Sequence, residues 1–213
     1  MFVRPSWKPK SEEEIYVLIE QNPWALLVSN GPDGPFATDL PILLDRSRGE
    51  KGVLVSHIAR ANAHADVILS ASIPALCIFH GPYSYVTSSW YPNRDMPPTV
   101  YYTAVHCYGR VAIQDKATLR RWLETLTNRM EAPFSDGWKT SEIPEPDIAR
   151  RLNAIVGFEV EIERLEGKFK LGQDEPKKDA LAVADKLRRS ENASDTRLGE
   201  MTFEYNVGRR KLR

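Results

Sequence analysis

From Val156 to Glu163 apolar and polar residues alternate without a break. Val156, Phe158, Val160 and Ile162 fall on one parity, and Gly157, Glu159, Glu161 and Glu163 on the other. A period of two belongs to a strand with one buried and one wet face. The three glutamates therefore read as one solvated strand face, not as a paired-carboxylate site. A strand of this kind calls for a sheet that leaves one side in water, which is the habit of antiparallel sheets.

The rest of the chain supplies its partners. Trp24 to Val28 and Phe36 to Leu44 flank the dense turn signal Asn30-Gly-Pro-Asp-Gly-Pro35 and read as a hairpin, with Pro41 marking an edge or a bulge. Val53 to Ser56 is a third strand. Ala75 to His80 and Tyr83 to Thr87 read as strands around a Gly81-Pro82 turn, and Thr99 to Ile113 as a long strand with a bulge at Gly109. Glu166-Gly167 is expected to turn the 156–163 strand into Lys168 to Leu171. Helices are fewer. Ser11-Glu-Glu-Glu14 is a capping box ahead of an apolar stripe that stops at Asn22-Pro23. Asn62 caps a short helix to about Ser70. Leu119, Trp122, Leu123, Leu126 and Met130 recur at helical spacing over 116–130. A charged helix is expected over 176–189, and residues 190–213 read as a polar tail with little regular pattern.

Helices and strands do not alternate regularly, which excludes a doubly wound parallel sheet. The expected class is α+β: mostly antiparallel strands built on a barrel with peripheral helices, residues 1–173, followed by a charged helix and mobile tail, residues 174–213. Lys and Arg together number 29, as do Asp and Glu, so the formal net charge is zero. A broad nucleic-acid surface needs an excess of cations that this chain lacks. No signal-type apolar segment and no stretch long enough to span a bilayer stands in the sequence, so a cytoplasmic protein is expected. Its two cysteines, Cys77 and Cys107, sit in apolar strands and read as buried thiols.

Two segments could carry chemistry. The first, Ser56-His-Ile-Ala-Arg-Ala-Asn62, is a strand-to-helix junction, where backbone amides and a positive dipole end can meet a phosphate. Arg60 adds a forked cation, and Ser56, His57 and Asn62 add short-range donors. The same spacing is also met by an Arg60 surface pair and an Asn62 that only caps. The second is Phe79-His-Gly-Pro-Tyr-Ser-Tyr-Val-Thr-Ser-Ser-Trp-Tyr-Pro92, which mixes rings with small hydroxyl residues as a planar polar ligand requires. Trp90 and Tyr91 serve equally as interface anchors. None of His57, His64, His80 and His106 has metal-type spacing. No nucleophile elbow, Gly-rich dinucleotide fingerprint or P-loop is present.

These segments, together with Ala104-Val-His-Cys-Tyr-Gly109 and the run from Ile155 to Leu171, resemble the PaiB-type FMN-binding proteins, often labelled negative transcriptional regulators. The resemblance covers about residues 1–185. It implies a split barrel, a homodimer, and FMN at the subunit interface. It implies a phosphate role for His57, Arg60 and Asn62, a place near the flavin for Trp90 and Tyr91, and a shaping role for Lys168, Lys170 and Gln173. The chain departs from the family pattern at Thr38-Asp-Leu-Pro41, at Thr87-Ser-Ser89, and at Val100-Tyr101, where the family has Trp-Asn.

Two functions follow as expectations. One is an FMN-binding regulator acting through bound flavin, a small ligand or a partner protein. No helix-turn-helix pattern or basic recognition helix supports direct DNA reading. The other is an FMN-dependent oxidoreductase, in which Asp39, Tyr101, Tyr102 and His106 contact a small-molecule substrate or relay protons. A haem protein on the same barrel, with His57, His80 or His106 as ligand, stands behind both.

Overall fold

The computed structural model describes residues 1–70 and 73–209. Its strands are β1 (Trp24–Gly31), β2 (Gly34–Pro41), β3 (Leu43–Asp45), β4 (Val53–Ala59), β5 (Pro74–Val86), β6 (Thr99–Ile113) and β7 (Ile155–Lys170). They form one sheet in the order β2-β1-β5-β6-β7-β4-β3. Among the described residues the helices are α1 (Glu12–Gln21), α2 (Ala63–Leu69), α3 (Lys116–Glu131), α4 (Glu145–Asn153), α5 (Lys177–Arg188) and α6 (Ala193–Val207). This is the expected α+β, mostly antiparallel split barrel with peripheral helices.

The chain divides into two compact units. One holds Met1–Leu18, His80–Val105 and Glu166–Arg213, the other Ile19–Phe79 and His106–Leu165. In the second unit, β1 and β2 pair antiparallel around Pro32-Asp33, with Gly34 at φ 130° closing the turn. β1 then pairs β5 (Leu27 opposite Cys77), and β4 pairs both β3 and β7 (Ser56 opposite Phe158). The strand expected over Phe36 to Leu44 is two strands. The break falls at Pro41-Ile42, and β2 and β3 lie at opposite ends of the strand order. Pro41 has no N–H to donate to a ladder, and the Ile42 amide leaves it for the Pro23 carbonyl at 2.7 Å. The 41–42 break thereby joins the two sheet edges covalently.

α3 covers the outer face of β4 and β7. Asp115 caps it by accepting from the Thr118 amide at 2.8 Å. Leu119 and Trp122 then pack on Leu43, Val53 and Val55. Burying each large apolar side chain contributes about 1.5–3 kcal/mol. Gly109 is a point of close approach between strands: a Cβ there would collide with the Glu161 carbonyl of β7.

In the first unit α1 starts as expected. The Ser11 hydroxyl accepts from the Glu14 amide at 3.4 Å, and the Glu14 carboxylate reaches back to the Lys10 amide at 2.6 Å. Two expected turns are absent. β5 runs straight through Gly81-Pro82, since a residue before proline favours extended backbone, and a Cβ at Gly81 would strike Thr103. β7 likewise runs through Gly167, where a Cβ would strike Pro9 and Ile15. The third correction is larger: α6 occupies 193–207, where a tail without regular structure was expected. Asn192 caps it through the Ser194 amide at 2.8 Å, and Leu198, Gly199, Thr202 and Asn206 are buried. Gly199 lets α6 approach the Arg188 backbone at the end of α5. Three of the four buried residues are small or polar, so hydrophobic periodicity could not reveal this face. Residues 210–213 lie outside the described residues.

Candidate functional site

The β4–α2 junction is arranged as its sequence implies, but several of its donors are already engaged. Ser56 is buried and its hydroxyl donates to the Pro41 carbonyl at 2.8 Å, so it braces the strand break and is not available to a ligand. The Asn62 side chain caps α2 by accepting from the His64 amide at 2.9 Å. The Arg60 and Asn62 amides bond the carbonyls of Ala154 and Ala59. Arg60 also caps α4: its Nε donates to the Asn153 carbonyl at 3.1 Å and its Nη2 to that of Ile155 at 3.4 Å. A cation at a helix C-terminus is favourable by the dipole. These bonds leave Nη1 of Arg60 and the side-chain Nδ2 of Asn62 as donors for a further group.

His57 alternates with Ser56 and so points to the α3 side of β4. It is half-buried, its Nδ1 has no partner among the described residues, and burial pushes its pKa down. The second histidine here, His64, was missed as a structural residue. It is fully buried, bonded through Nε2 to Ser29 Oγ at 2.7 Å and through Nδ1 to Thr38 Oγ1 at 2.8 Å, and stacked on Phe36.

The aromatic segment separates into two roles. Thr87 caps a helical turn over Ser88–Trp90, which leaves Trp90 half-buried. Tyr91 is 1 % exposed and Tyr101 0 %. Both phenols donate to the carboxylate of Glu175, the Tyr91 bond measuring 3.3 Å. Flavin contact through the Tyr91 ring and substrate contact through Tyr101 are therefore corrected: within the subunit both rings are core, held to a buried carboxylate. Burial and the Glu175 charge push both phenols above their ordinary range. Gln173 is structural as well, accepting from the Leu171 amide and donating to the Phe169 carbonyl. Tyr102 is half-buried, with the Lys168 ammonium 5.1 Å from its ring centroid and 4.9 Å from that of Trp7. Lys170 donates to Thr99 and to the Val100 carbonyl.

Of the other candidates, Asp39 is exposed opposite Leu26 on the sheet edge. His106 is half-buried, its Nδ1 3.4 Å from the Tyr108 hydroxyl, and Arg164 stacks 3.5 Å from the Tyr108 ring centroid. Among the described residues no group of His, Cys, Asp and Glu could hold a metal. Both cysteines are free and buried. No described helix is long and apolar enough to cross a membrane.

The chain is thus a split-barrel protein whose strand-to-helix junction carries a cation and an amide. Solved structures share that fold: the FAD and heme binding protein of Mycobacterium smegmatis has a TM-score of 0.58 at 16% identity, over 76% of this chain and 72% of that one. A conserved hypothetical protein of Mycobacterium tuberculosis also scores 0.58, at 15% identity over 83% and 94%. Residues 1–164 match the family described as "Putative FMN-binding domain", and the chain belongs to that family. Its membership supports FMN as the cofactor. Among curated relatives, the Bacillus subtilis protein named "Protease synthase and sporulation protein PAI 2" is 26% identical over 94% of this chain and 96% of its own length. An uncharacterized protein of Emericella nidulans is 29% identical over 66% and 67%.

Proposed function

We propose that this protein is a cytoplasmic FMN-dependent regulator that works as a homodimer, with its output set by the bound flavin or a small ligand. The observation that carries the reading is the Arg60–Asn62 junction, set in a chain of an FMN-binding family. Nη1 of Arg60 and the side-chain amide nitrogen of Asn62 hold the phosphate. Exposed Tyr83 and Tyr85, two positions apart and so on one face of β5, support the dimer, since neighbouring apolar rings on a surface favour burial against a partner. When bound, FMN supplies one- or two-electron redox chemistry. The chain's own residues position and shield it.

The test is absorbance of the purified protein, followed by release and identification of the chromophore. FMN in the wild type and at least tenfold weaker retention in Arg60→Gln support the reading. A colourless protein that takes up no added FMN overturns it. Half-buried Tyr102 and His106 keep a second reading, an FMN-dependent oxidoreductase. Steady turnover with a reduced nicotinamide, slowed by Tyr102→Phe or His106→Gln without loss of FMN, would favour that alternative.

A further inference from the structure

A pocket of ≈ 650 Å³ opens between α3 and the β3–β4 strands, within the second unit and apart from the Arg60 junction. Its floor is apolar, from Leu43, Leu44 and Val55, and the Trp122 ring forms one wall. Three guanidiniums, Arg48, Arg121 and Arg129, line it together with one carboxylate, Asp45. Arg48 is held bidentate by Glu159 at 2.9 Å. Arg121 and Arg129 are exposed, and each is fastened by a single Nη2, to Thr118 Oγ1 at 3.0 Å and to the Glu20 carbonyl at 2.6 Å respectively.

The wall also holds polar atoms that nothing in the protein satisfies. Trp122 is 6 % exposed, and its Nε1 has no hydrogen-bond partner. Neither Nε2 nor Oε1 of Gln114 has one. The Gln114 side-chain amide lies beside Gly157, in the space a Cβ there would fill. Each such group is destabilising while it stays unpaired. Polar groups left this way in one wall are the mark of a site completed by something else. The volume falls within the roughly 300–1,000 Å³ of small-molecule pockets.

We propose that this pocket is a second ligand site, for a small carboxylate with an apolar or aromatic body. Arg121 and Arg129 take the carboxylate, since guanidinium forks match its geometry. The Leu43–Leu44–Val55 floor and the Trp122 ring take the body. Gln114 and Trp122, with a small turn of their side chains, take a polar substituent on it. Inorganic phosphate offers the charge without the body, so it binds more weakly.

The experiment uses the full chain, with benzoate and indole-3-acetate as probes and inorganic phosphate as the control, read by Trp fluorescence titration and thermal shift. Saturable binding of either carboxylate is expected, at least tenfold tighter than phosphate and at least tenfold weaker in Arg121→Ala/Arg129→Ala. Both positions are exposed, so that variant should keep the wild-type fold, with at most a small drop in melting temperature from the lost Thr118 and Glu20 bonds. FMN content is measured on the same samples, so a failure here is separate from a failure of the flavin reading. Absence of saturation, equal response to phosphate, or unchanged affinity in the double variant each overturns the proposal.

Discussion

The Tyr101 hydroxyl donates to the carboxylate of Glu175, a residue 74 positions further along the chain, and Tyr91 adds a second bond to the same group. Burial raises the Glu175 pKa, and the two phenols oppose that rise. Tyr101→Phe removes one donor from a buried acid and should cost about 1–3 kcal/mol in chemical denaturation. Tyr91→Phe, losing the longer bond, should cost less. Equal, negligible losses would mean that the carboxylate is solvated.

His64 is kept neutral in the folded protein, because burial lowers its pKa from 6.5. The unfolded chain binds that proton more readily, so this contribution to stability is complete above pH 6.5 and is lost as pH falls below it. His57 shifts in the same sense, while the raised pKa of Glu175 acts oppositely at lower pH. The informative readout is therefore a difference. Melting temperature from pH 7.5 to 5.5 should fall less steeply in His64→Gln than in the wild type, and parallel curves would remove His64 from the account.

Arg60 has a measurable structural share alongside its proposed ligand role. Arg60→Gln loses the α4 cap, which is worth about 0.3–1 kcal/mol. The melting temperature should therefore drop only slightly, whereas FMN retention should drop by at least tenfold. A large stability loss with intact FMN binding would assign the residue to α4 alone.

Gly109 and Gly208 offer a paired test of packing. A side chain at Gly109 meets β7 backbone, while one at Gly208 meets open space. Gly109→Ala should cost about 1–3 kcal/mol or more, as overpacking against main chain does. Gly208→Ala should lie near zero.

Burial pushes the Cys77 thiol up to about 12 and the Cys107 thiol well above its ordinary range. Neither should react with a thiol reagent at pH 8 in the native protein, and both should react in denaturant. A thiol that reacts rapidly under native conditions would show that the β5–β6 region opens.

Local chemistry made much of this molecule legible. The capping serine and glutamate of α1, the Asn62 cap, the 116–130 stripe and the 156–162 alternation are each written in neighbouring residues, and each is where it was expected. The four-segment resemblance likewise pointed to the flavin family. Turn signals misled where glycine served another purpose: Gly81 and Gly167 are demanded by neighbours distant in sequence, which no local rule can see. α6 was missed because its buried face uses Gly199, Thr202 and Asn206 in place of a leucine stripe. Tertiary structure alone decided that Tyr91 and Tyr101 converge on Glu175, that Ser56 turns to Pro41, and that Gln114, Trp122 and three arginines share one pocket. The physical reason is the same in each case. Periodicity and capping report which residues will be buried or will start an element, because those depend on bonds within a few positions. Which buried groups meet depends on strand register and chain crossings, and these are set by the packing of the whole sheet.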